Sequence, residues 1–110
     1  MTTEPLWGGE TNKAVDNFPV SGERIPVAVL RWLGRIKGAA ARANADLGLL
    51  PADKADAITA ACREIRAGAL HDEFVVDVIQ GGAGTSSNMN ANEVIANRAL
   101  ELLGRPKGDY

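Results

Sequence analysis

Apolar side chains recur at three- and four-residue steps in three stretches of this 110-residue chain, the spacing of helices that bury one face. From Pro26, the positions Val27, Leu30, Leu33 or Gly34, Ile36 or Lys37, Ala40, Ala43 and Leu47 predict a long helix ending near Gly48. After the short link Leu49-Leu50-Pro51, a second stripe of Ala55, Ile58, Ala61, Cys62 and Ile65 runs to Ala67, with Gly68 as a left-handed cap. Two helices joined so tightly should pack as an antiparallel pair. Asn90 and Glu93 have the spacing of an N-cap and its returning carboxyl group, and Val94, Ile95, Ala99, Leu102 and Leu103 follow as an apolar face. A third helix is therefore expected from about Asn90 to Leu103, closed by Gly104 and Pro106.

Other positions refine this pattern. Gly34 and Gly38 each weaken the first helix by about 1 kcal/mol relative to alanine, a cost consistent with close packing against another helix. Trp32 is expected to be a packing residue. Residues 6–22 carry glycine turns and no sustained period, which predicts an irregular arm anchored by Trp7 and Phe18 and compatible with a short β hairpin. Phe74 to Ile79 is rich in β-branched residues and predicts an extended segment leading to the glycines beyond it. The fold class is all-α, with three main helices, an irregular N-terminal arm and one extended segment.

Composition narrows the function classes. A net charge of −2, from 12 basic and 14 acidic residues mixed along the chain, argues against nucleic acid or an anionic membrane as partner. The apolar runs are too short to span a bilayer. Cys62 is the only cysteine, so an internal disulfide is excluded, and the N-terminus has no export pattern; the expected location is the cytoplasm. Cys62 lies on an apolar stripe without a neighbouring ligand-type residue, which marks it as a core residue.

Candidate chemistry is concentrated between Gln80 and Glu93. Gly81, Gly82 and Gly84 permit close backbone approach, and Thr85, Ser86 and Ser87 add hydroxyls just before a helix start. Free helix N–H groups and the positive dipole end, together with those hydroxyls, make a neutral donor cluster suited to a carboxylate. Ser87 stands where a dinucleotide fingerprint needs its third glycine, and no Gly-Lys-Ser or Gly-Lys-Thr ends a phosphate loop.

The run from Gln80 to Arg98 resembles the first signature region of the fumarase and aspartase superfamily. Its segment Gly81-Gly82-Ala83-Gly84-Thr85 is similar to the form found in aspartate ammonia-lyases, whereas fumarases usually carry Thr-Gly-Ser-Gly-Thr. The likeness extends through Asp77-Val78-Ile79, Leu100 to Gly104 and Lys107 to Tyr110, and so covers essentially the whole chain. The arm resembles the superfamily's entry segment, with Glu10 in place of the usual glutamine and Lys13 in place of arginine; lysine keeps the charge without the bidentate fork.

That resemblance implies the N-terminal domain of a longer lyase, without the central helical bundle and C-terminal domain. It implies reversible elimination of ammonia from L-aspartate to give fumarate, a homotetrameric parent, and no organic cofactor or metal. Thr85 is the expected substrate contact, with the backbone of Gly84 and Ala83 shaping the same pocket. Asn88, Asn90 and Ser86 are supporting positions, the two asparagines bracing the loop and capping the helix. The family's catalytic serine and histidine belong to later signatures, so His71 does not inherit a catalytic role and the 110-residue chain by itself is expected to be inactive. Fumarate hydratase and a non-catalytic helical module are the alternatives.

Overall fold

A computed structural model of the chain describes residues 5–17, 21, 23–24, 26–75 and 85–108. Their regular structure is helical throughout, without a strand: α1 (Gly9–Asn17), α2 (Val27–Asp46), α3 (Ala52–Arg66), a 3-10 turn (His71–Glu73) and α4 (Thr85–Leu102). The all-α expectation holds. The arm, however, is helical over α1, so its description as irregular is corrected. Its Asn12 N–H donates to the Gly8 carbonyl at 3.1 Å, one of the local bonds that an apolar-periodicity search passes over.

Pro26 and Pro51 stand immediately before α2 and α3, their fixed φ of −58° and −57° ready for a helix start. All three long helices end in one pattern. The N–H of Leu49, Ala69 and Arg105 reaches back to Asn44, Glu64 and Leu100 at 2.8, 2.9 and 2.8 Å. The preceding Gly48, Gly68 and Gly104 hold φ of 75°, 88° and 72°, a region costly to a side-chain-bearing residue.

α2 and α3 form the most extensive pair, α3 packs on α4, and α1 packs on α4. The core between them contains Leu6, Leu30, Cys62, Ile65, Phe74, Val94 and Ile95, flanked by Trp7, Leu33, Ile58 and Leu70. Arg98 clamps α4 to α3 with a two-pronged ion pair to Glu64, Nε–Oε2 2.6 Å and Nη2–Oε1 2.8 Å. Donating hydrogen bonds to the Glu64 carboxylate holds its guanidinium above the ordinary arginine range, against the opposing effect of burial.

The close packing expected of the two glycines is required at Gly34 and not at Gly38, which gives opposite predictions at these positions. A Cβ on Gly34 would stand 3.0 Å from the Cys62 carbonyl oxygen, a backbone atom that cannot swing aside. Gly34→Ala should therefore destabilise the fold by about 1–2 kcal/mol, overpacking outweighing the gain in helix propensity. At Gly38 the nearest contact is Cys62 Cβ at 3.4 Å, an ordinary van der Waals distance. Gly38→Ala should stabilise by about 0.5–1 kcal/mol. Urea denaturation of the two variants checks both signs.

Trp32 does not pack as expected. Val29, Trp32 and Ile36 are exposed on α2, with Trp32 60% accessible and the Arg35 guanidinium 5.0 Å from its ring centroid. The buried row of α2 instead passes through Leu30, Gly34 and Ala41, because the close approach of α3 at Gly34 selects that face.

Candidate functional site

α4 begins at Thr85, five residues before the expected start, so Asn90 lies inside the helix and is not its N-cap. Its buried side chain braces the preceding segment: Oδ1 accepts from the Val75 N–H and Nδ2 donates to the Glu73 carbonyl, both at 3.0 Å. Glu93 does not return to Asn90 as a capping carboxyl. It accepts from the Thr11 N–H at 2.7 Å and the Thr11 hydroxyl at 2.6 Å, satisfying a residue with no exposed surface.

Asn97 completes this polar row one turn further on. Its Nδ2 donates to the Leu6 carbonyl at 2.6 Å, and its Oδ1 accepts from the Gly108 N–H at 2.9 Å. The Glu73 carboxylate accepts the Leu6 N–H. Residues 90, 93 and 97 follow helical spacing, so one face of α4 fastens the arm, the segment after the 3-10 turn and the stretch beyond α4. Buried polar groups paired in this way fix relative position while avoiding the penalty of an unmade hydrogen bond.

The remaining predicted site residues divide between two regions. Ala83 and Gly84, with Gly81 and Gly82, lie outside the described residues. So do Phe18 of the arm and residues 76–79 of the expected extended segment. Thr85 is exposed as the first residue of α4, Ser86 is half-buried beside it, and Asn88 is exposed in the same first turns. The helix dipole places partial positive charge at this end. Lys37 adds a full charge there, its Nζ donating to Asn88 Oδ1 at 2.6 Å.

Sequence reasoning did not place Lys37 beside this turn, since its spacing in α2 allowed it only as an alternative to Ile36 on the packed face. The structure leaves Ile36 exposed and turns Lys37 towards α4. Of the entry-segment charges, Lys13 pairs with Glu10 at 3.2 Å, both exposed.

His71 and Cys62 are packing residues in this arrangement. The imidazole sits over Gly68, where an added Cβ would meet its Cε1 at 3.1 Å. Burial pushes the Cys62 thiol up to about 11, while the charges of Lys37 and Arg66 pull it down less strongly. It remains a neutral thiol near pH 7, unsuited to nucleophilic work. Among the described residues no group of three His, Cys, Asp or Glu could hold a metal ion, and no helix is long and apolar enough to cross a membrane.

What the arrangement offers chemically is a positively polarised helix end that carries the Thr85 hydroxyl and has a lysine beside it. The family described as Lyase matches residues 1–109. Among similar proteins, a class II fumarate hydratase from Halobacterium salinarum is 58% identical over 99% of this chain and 23% of its own length. An aspartate ammonia-lyase from a Bacillus species is 52% identical over 97% of this chain and likewise 23% of its own length. A solved structure from Brucella melitensis described as fumarate lyase:delta crystallin superposes with a TM-score of 0.94 at 57% identity, covering 96% of this chain and 25% of that one. The chain thus spans about a quarter of the length of the relatives it matches.

Proposed function

We propose, from the premise that this chain belongs to the Lyase family, the superfamily of fumarases and aspartases, that it is the N-terminal domain of a longer enzyme that forms fumarate by elimination. The observation that carries the proposal is the family match over 109 of 110 residues, with Thr85 exposed at the start of α4. In this reading Thr85, with the backbone of Gly84 and Ala83, binds a carboxylate of a small dicarboxylic acid. Ser86 and Asn88 support that contact, and Lys37 holds Asn88 in place.

The chemistry demands such donors. Removing a proton beside a carboxylate creates an aci-carboxylate with added negative charge, so groups already directed at that position lower the barrier. A hydroxyl and the N–H groups of a first helical turn suit the demand while adding no competing negative charge. The base that takes the proton belongs to the remainder of the enzyme, which also supplies the homotetrameric assembly that the resemblance implies.

Two leaving groups fit this site. Gly81-Gly82-Ala83-Gly84-Thr85 favours ammonia and L-aspartate. The 58% identity to a fumarate hydratase favours water and malate, and keeps that reading beside the first. The complete product of the gene should be assayed separately with L-aspartate and with L-malate, following fumarate by its ultraviolet absorbance. Fumarate from aspartate with release of ammonia supports the ammonia-lyase; fumarate from malate alone makes it a hydratase. Turnover of either substrate by the 110-residue chain would overturn its assignment as an incomplete site.

A further inference from the structure

Four arginines converge on one open cleft between α2 and α3. Arg31 and Arg35 stand one turn apart on α2, Arg63 and Arg66 one turn apart on α3, and with Ala67 they enclose about 450 Å³. The close helix crossing sets these rows side by side: Arg66 Cγ lies 3.0 Å from where a Cβ on Gly34 would stand. All four arginines are exposed. Among the described residues none has a carboxylate within ion-pair distance. Glu64, next in sequence to Arg63, is turned to Arg98 on the other side of α3. In a chain of net charge −2, this cleft is a local concentration of the opposite sign. Like charges gathered without counter-charges raise the local potential and attract anions.

We propose that the cleft binds a phosphoanhydride, either inorganic pyrophosphate or the polyphosphate chain of a nucleotide. A planar carboxylate presents two oxygens along one edge and engages one guanidinium fork well. A tetrahedral phosphoryl group presents three oxygens in different directions, so both arginine-bearing walls can grip it at once. Two linked phosphoryl groups match two arginines on each side and carry enough charge to relieve the repulsion among them. None of these arginines enters the proposed dicarboxylate contacts, so this inference is tested separately from that reading.

The test is calorimetric titration of the 110-residue chain at low salt with sodium pyrophosphate, with ATP, and with citrate as a tricarboxylate comparator. Saturable binding of pyrophosphate at one site per chain is expected, weakening with added salt. R31Q and R66Q, one change on each wall, should each reduce affinity at least about fivefold, the loss of one charge-assisted contact. R42Q, on α2 beyond the cleft, should leave it unchanged. Because the cleft arginines are exposed, circular dichroism should show both variants folded. ATP binding more tightly than pyrophosphate, with a change in Trp32 fluorescence beside Arg35, would identify the nucleotide as the source; equal affinities would identify the phosphoanhydride alone. Absence of saturable pyrophosphate binding, citrate bound as tightly, or unchanged affinity in both R31Q and R66Q overturns the proposal.

Discussion

Alanine at position 90 should destabilise the domain by about 3 kcal/mol. The Asn90 side chain is 1% exposed and satisfies two backbone groups, the Val75 N–H and the Glu73 carbonyl, at 3.0 Å each. Truncation leaves both without that partner, and each unmade bond costs about 1–3 kcal/mol where water cannot enter. Against a total stability of about 5–15 kcal/mol this is a large fraction, lowering the melting temperature by roughly 10–20 °C. Asn88 supplies the control. It belongs to the same signature run, but it is exposed and its bond is to the flexible Lys37 side chain, so Asn88→Ala should change stability by less than about 0.5 kcal/mol. Thermal melts of the two variants compare them directly; equal destabilisation would contradict the bracing role of Asn90.

Valine at position 85 should have the opposite profile, leaving stability nearly unchanged while reducing turnover in the complete enzyme. Thr85 is exposed at the start of α4, and valine preserves its shape while deleting the hydroxyl. If that hydroxyl meets the developing aci-carboxylate, its loss should lower kcat/KM by about 10²–10³-fold, the range for removing one such donor. Much of the loss should appear in kcat, because the interaction strengthens as charge develops. A complete enzyme with Thr85→Val and unchanged steady-state kinetics would exclude the hydroxyl from the site.

The sequence made the helical framework legible. Pro26, Pro51, Gly48, Gly68 and Gly104 act within a few residues of where they stand, so their meaning is local and the ends of α2 and α3 and the close of α4 follow from them. Gly34 could likewise be assigned to a close helix crossing, since no local role explained it. The start of α4 was misplaced because Asn90 and Glu93 have capping spacing, while their partners lie as far away in sequence as Thr11. The helical arm was missed for a related reason: α1 is short and mostly exposed, so its apolar pattern is faint.

The sequence by itself determined the helical class, the three helix closures, the donor-rich composition near Thr85 and the resemblance to fumarases and aspartases, all carried by neighbouring residues. Only the tertiary structure decided which asparagine braces the scaffold, which lysine joins the N-terminal turn of α4, and that Arg31, Arg35, Arg63 and Arg66 share one cleft. The physical reason is range. Backbone geometry and capping act over a few residues, whereas hydrogen-bond partners and charge neighbours are set by the crossing of helices distant in sequence, at positions such as Gly34 where α2 meets α3.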